Sequence, residues 1–129
     1  MVDFEVTVAA GTLRSTSAET VNFAHRWTDA GVTVEAPFTG GHLWVLAPAG
    51  CLLNDLYREA RGRDVVVDGV RVRAAGGLDE TTWAPTGIRY SIEVDSPAAD
   101  ETVAELLRLV ESVAEIPQAM RHGTTVQRE

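Results

Sequence analysis

The sequence predicts an α+β fold in which an antiparallel sheet carries a central buried helix and a second, amphipathic helix. Three patterns lead there. Short runs alternate apolar and polar residues, one long run is apolar almost throughout, and a later run repeats its apolar residues at helical spacing. The predicted order is three strands, a helix, two strands, a helix and a short tail. A chain of 129 residues suits one domain, 1–129, with an ordinary core. No repeat, low-complexity segment or linker divides it.

Val2, Phe4, Val6 and Val8 alternate with Asp3, Glu5 and Thr7, the mark of a half-buried strand. Gly11 and the polar run from Thr12 to Glu19 form a turn. Val21, Phe23, His25 and Trp27 alternate again, Asp29-Ala-Gly31 signals a hairpin, and Val32-Thr-Val34 supplies the third strand. Pro37 and the pair Gly40-Gly41 close this meander. From His42 to Arg61 the length and the leucines predict a helix, apolar around most of its circumference. Such a helix is buried on several sides, which in a small domain implies a second subunit. Pro48 lacks an amide hydrogen and is expected to kink or restart it. Val65–Arg73 and Ile88–Val94 read as paired strands, joined by a glycine-rich loop from Ala74 to Gly87. Ser96-Pro97 reads as a cap followed by a first-turn proline. Val103, Leu106, Leu107, Val110, Val113 and Ala114 form the stripe of the second helix, which Pro117 is expected to end.

The net charge of −8 repels phosphate backbones, and no basic stripe overrides it, so nucleic acid is not an expected partner. The start Met1-Val-Asp-Phe-Glu-Val lacks the basic and apolar pattern of a signal peptide. No apolar run reaches the roughly 20 residues a membrane helix needs. The expected location is the cytoplasm, away from membranes. A single cysteine excludes an internal disulfide. His25, His42 and His122 match no ligand spacing, so neither a metal nor a cofactor is expected. No Ser/His/Asp triad is present, and Gly76-Gly77 reads as a hairpin rather than a phosphate loop.

Cys51 is the one reactive candidate. It lies three residues past Pro48 in Leu-Ala-Pro-Ala-Gly-Cys-Leu. Most free cysteines are small buried hydrophobes. A helix restarted at Pro48 would instead put the thiol in a first turn, where unpaired amides favour thiolate. Against that, Leu52 and Leu53 desolvate the sulfur, and Asp55 one turn on disfavours its charge. Without a neighbouring cation, burial is expected to win and the thiol to stay mostly protonated; Arg14 or another arginine contributed across a subunit interface would reverse that balance. Trp44 falls seven residues before Cys51, on the same helix face, where it can wall an apolar pocket or pack the core. Asp100, Glu101, Glu105 and Glu111 read as a solvated face.

The order of elements, the glycine pair before a buried helix, and Cys51 within Leu-Ala-Pro-Ala-Gly-Cys-Leu resemble the OsmC/Ohr family of osmotically inducible and organic-hydroperoxide-resistance proteins. Ala114-Glu-Ile-Pro117 matches the place where that family carries a Cys-Pro pair. The resemblance implies an intertwined homodimer with central helices back to back and active sites at the subunit interface. It implies reduction of organic hydroperoxides: a helix cysteine attacks, a second cysteine resolves, and external thiols, lipoyl-type in some members, reduce the disulfide. Cys51 matches the attacking position. Ile116 stands at the resolving position and cannot form a disulfide. Gly40-Gly41 replaces the family's Pro-Glu pair. His42 follows directly as a substitute polar group, and Arg14 lies in the strand-loop region of the family's arginine.

The reading is an OsmC-like homodimer, an atypical member without the second cysteine. Its candidate catalytic residues are Cys51, Arg14 and His42, its substrate is a small organic hydroperoxide, and its reductant is an external thiol in a one-cysteine cycle. The alternative is a non-catalytic dimer of the same fold that binds a small apolar ligand near Trp44.

Overall fold

The N-terminal alternation becomes the central strand of a five-stranded sheet. The computed structural model describes residues 2–129. Strand β1 (Val2–Gly11) is followed by β2 (Val21–Phe23), β3 (Val32–Glu35), helix α1 (Gly40–Gly62), β4 (Gly69–Leu78), β5 (Pro85–Asp95), α2 (Asp100–Val113) and α3 (Glu115–His122). The sheet order is β2-β3-β1-β4-β5, antiparallel throughout. The fold is α+β, as the patterning predicts.

Register explains why one face is apolar. Val34, Val8, Val72 and Ile92 lie opposite one another across four strands, and Val32, Ala10, Val70 and Val94 form the next such row. Because side chains alternate, the intervening row is Thr33, Ala9, Arg71 and Glu93 on the other face. There Arg71 pairs with Glu93 at 3.0 Å, and Arg89 with Asp3 at 2.9 Å. Helix α1 lies on the valine rows and buries Val45, Ala49, Leu52, Leu53, Leu56 and Ala60. Each buried leucine contributes about 1.5–3 kcal/mol, so this contact is the core of the domain.

Several boundaries differ from the sequence expectation. Helix α1 starts at the Thr39 cap, whose side chain accepts from the His42 amide at 3.2 Å, and runs unbroken through Pro48 because its packing outweighs the one lost hydrogen bond. Cys51 is therefore mid-helix and gains nothing from a restart. The chain's own α2 and α3 also cover part of α1. After Phe23 the chain leaves the sheet. His25 turns to hydrogen-bond Thr28 and Asn54, while Trp27 stacks beneath the guanidinium groups of Arg26 and Arg61. Strand β4 starts at Gly69 and continues through Gly76-Gly77. A Cβ at Gly77 would lie 2.3 Å from the Val2 carbonyl oxygen, so this closely paired strand needs glycine where a loop was expected. The connection is only the Asp79–Ala84 turn, with Asp79 Oδ1 accepting from the amides of Thr81 and Thr82.

Ser96 does not cap α2. Its hydroxyl donates to the Val66 carbonyl and accepts from the Ala98 amide, and the helix starts later, after Ala99. Leu106, Val110 and Ala114 of the expected stripe are buried, but Val113 is exposed. Pro117 opens a helix instead of ending one. It sits in the first turn of α3, where a missing amide hydrogen costs no helical bond. Among the described residues, no helix is long and apolar enough to cross a membrane.

Gly41 has a packing role the sequence did not reveal. A Cβ there would come within 2.2 Å of the Phe4 ring, which also meets His42 edge-on at 5.1 Å. Gly40 faces open space. Thermal or urea unfolding should therefore show Gly41→Ala destabilised by about 1–3 kcal/mol, an overpacking cost. Gly40→Ala should be neutral or slightly stabilising. Equal effects at the two positions would contradict the Phe4 contact.

Candidate functional site

Cys51 lies where α1 meets the start of α3. On α1, Trp44, Pro48 and Cys51 share one face at spacings of four and three. In α3, Ile116 is the second residue, so its amide hydrogen has no partner within the helix. That amide faces the Cys51 sulfur. Ile116 thus meets the thiol through its backbone.

The other side of the sulfur is acidic. Cys51 Sγ is 3.8 Å from Asp55 Oδ2, one helical turn on. Asp55 is fully buried, and its Oδ1 accepts from Asn54 Nδ2 at 3.1 Å and pairs with Arg58 Nη1 at 3.2 Å. The sulfur and carboxylate oxygens of Asp55 and Glu115 all lie within 4.8 Å of one another. With Oδ1 of Asp55 already engaged and an amide directed at the sulfur, the cluster acts as the thiol's electrostatic surroundings. Burial pushes the Cys51 thiol up from its ordinary range. The Ile116 amide partly opposes this, whereas the charges of Asp55 and Glu115 and the hydrogen bond to Asp55 push it higher. The helix dipole expected from α1 is supplied in another form, by α3, and is outweighed.

Beside this seam opens a cleft of about 230 Å³. Trp44 and Pro48 form its α1 wall, Ile88 and Tyr90 its β5 wall, and Pro117 and Met120 its α3 wall, with Arg121 also lining it. Tyr90 donates its hydroxyl hydrogen to Glu111 Oε2 at 2.5 Å. Burial, then the Glu111 carboxylate, pushes the phenol up to about 12, so it stays neutral. The cleft offers an apolar body with one cation near it.

Arg14 and His42 lie apart from the thiol within one chain. Arg14 Nη2 donates to Asn22 Oδ1 at 2.9 Å, and Arg14 is not among the charges acting on the sulfur. His42 is nine residues before Cys51, about 13 Å along the helix axis. Its Nδ1 lies 2.6 Å from the capping Thr39 hydroxyl. Sequence reasoning noticed Asp55 but missed Glu115, the Ile116 amide and Asn54. The i, i+4 spacing revealed Asp55; nothing local announced the others.

The OsmC-like protein family model matches residues 34–129, well over half of the chain and including α1 and α3. The chain belongs to the OsmC-like family. Its fold is similar to that of an OsmC-like hydroperoxide resistance protein from Jannaschia sp. CCS1, with a TM-score of 0.60 and 13% identity, covering 98% of this chain and 91% of that one. At that identity the likeness concerns the fold. No curated protein matches the chain.

In the native protein, the alkylation rate of Cys51 should rise with pH to a midpoint above the roughly 8.5 of a free thiol. Asp55→Asn removes the nearer negative charge and should lower that midpoint. A wild-type midpoint below neutrality would show that the Ile116 amide, or a group from another subunit, dominates.

Proposed function

We propose that this OsmC-like protein reduces small organic hydroperoxides by a one-cysteine cycle at Cys51. The observation that carries this reading is the thiol's placement on the α1–α3 seam beside the Trp44 cleft, with a carboxylate in contact. The cleft takes the apolar body of the peroxide. The Cys51 sulfur attacks the terminal oxygen, an S–O bond forms as the O–O bond breaks, and the alkoxide leaves. Asp55 Oδ2, which already accepts from the thiol, takes its proton and returns it to the alkoxide. Sulfur is oxidised to a sulfenic acid and the peroxide is reduced to an alcohol and, within the sulfenic acid, one oxygen. An external thiol condenses with the sulfenic acid, releasing water. A second thiol then displaces Cys51 and leaves as the oxidised disulfide. Cys51 is the only cysteine, so the chain cannot resolve itself. The raised thiol makes this enzyme slow, since little thiolate is present at neutral pH.

A homodimer fits the same reading. A second cleft of about 220 Å³ runs between Phe23, Val32 and Val34 on the sheet and Leu46, Gly50 and Leu53 on α1. Phe23 is 54% exposed and Leu43 39%, which leaves an apolar strip that a second copy would cover. In the alternative reading, the Trp44 cleft binds an apolar ligand without chemistry, and the raised, half-buried thiol favours it.

Peroxide treatment with an added small thiol should yield a mixed disulfide on Cys51, with slow hydroperoxide consumption abolished in Cys51→Ser. An unmodified thiol and no turnover, with apolar ligand still quenching Trp44 fluorescence in Cys51→Ser, would establish the binding role instead. Sedimentation should find a dimer at micromolar concentration, weakened by Gly50→Arg. A stable wild-type monomer would remove the dimer from this account.

A further inference from the structure

A line of side-chain hydrogen bonds leads away from the thiol to the segment between β2 and β3, and the peroxide chemistry uses only its first member, Asp55. It begins at Asp55, whose Oδ2 faces the sulfur while Oδ1 accepts from Asn54 and Arg58. A carboxylate only accepts, so Asn54 must present its amide nitrogen to Asp55 and its oxygen outward. That oxygen lies 3.1 Å from His25 Nε2, which must then carry a hydrogen. His25 Nδ1 lies 2.8 Å from Thr28 Oγ1, and the Thr28 carbonyl accepts from the Gly31 amide in the same turn. The imidazole packs edge-on against the Tyr57 ring at 5.9 Å.

Helix geometry alone does not supply the bond between Asn54 and Asp55. Adjacent residues on a helix point about 100° apart and do not face each other. Asn54 needs an anchor on its far side, and His25 is that anchor. We propose that His25 and Asn54 are positioning residues that hold Asp55 Oδ2 toward the Cys51 sulfur. This role rests on Cys51 being the reacting thiol, yet the orientation of the carboxylate is measurable without any peroxide.

The groups acting on the sulfur are Asp55 from α1, and Glu115 and the Ile116 amide from α3, with Arg58 reaching it only through Asp55. Variants at positions 25 and 54 leave Glu115, Ile116 and Arg58 in place. Burial of the sulfur is the other contribution, so a moved midpoint reports on Asp55 when His25→Gln restores it and His25→Asn does not.

The test is the alkylation of native Cys51 by iodoacetamide against pH, with circular dichroism recorded for every variant. In His25→Leu, Asn54 loses its anchor and Asp55 relaxes from the sulfur. The midpoint should fall by about one pH unit, roughly a tenfold gain in thiolate at a given pH. His25→Gln places an amide N–H near the Nε2 position and should restore the wild-type midpoint, whereas His25→Asn, too short to reach Asn54, should not. The double variant His25→Leu/Asn54→Leu should match either single one, because both cut the same line. An unmoved midpoint in folded His25→Leu, a Gln variant no better than Leu, or additive effects would each overturn the assignment. If His25→Leu does not fold, the contrast between Gln and Asn decides. Hydroperoxide consumption is read separately: its absence in the wild type removes the peroxidase reading, and the midpoints still decide the role of His25.

Discussion

The packing of α1 on the valine rows of the sheet is the contact on which the remaining structure depends. Val8, Val70 and Val72 form the floor, and Leu52, Leu53 and Leu56 fill the space above it. Because these leucines fix the rotation of α1, they also fix where Cys51 points. With one face against the sheet, the sulfur is left at the helix flank, where α3 closes over it. The core thus sets the direction of the thiol, and the short helix sets its surroundings.

Those surroundings oppose each other. A first-turn amide of α3 favours negative charge on sulfur, while burial and two carboxylates oppose it. Asp55 itself is a buried charge, an arrangement that costs several kcal/mol unless the carboxylate is paired and hydrogen-bonded. Arg58 and Asn54 supply that compensation. The carboxylate beside the thiol is thus held by partners from its own helix, one turn on and next in sequence.

Much of the fold could be read from periodicity. The alternation in Val2–Val8 and Ile88–Val94 and the stripe Leu106–Val110 hold, because each has one face toward the core. Failures cluster where glycine and proline signals had two meanings. Gly76-Gly77 reads as a loop but serves a closely paired strand, and Pro117 reads as a stop but serves a helix start. Pro48 reads as a break, yet the helix continues, since packing on both sides outweighs one lost hydrogen bond.

The sequence by itself determined the fold class, the single thiol and the carboxylate one turn beyond it, because these depend on composition and on spacing within one element. It also determined that no second cysteine is available. Tertiary structure alone decided that Glu115 and the Ile116 amide meet Cys51, and that His25 reaches Asn54 across 29 residues of chain. It also placed Arg14 and His42 away from the sulfur within the subunit. The reason is physical. Local spacing fixes neighbours along a helix or strand, whereas the thiol's charge balance is set by groups from separate elements, whose meeting depends on how those elements pack.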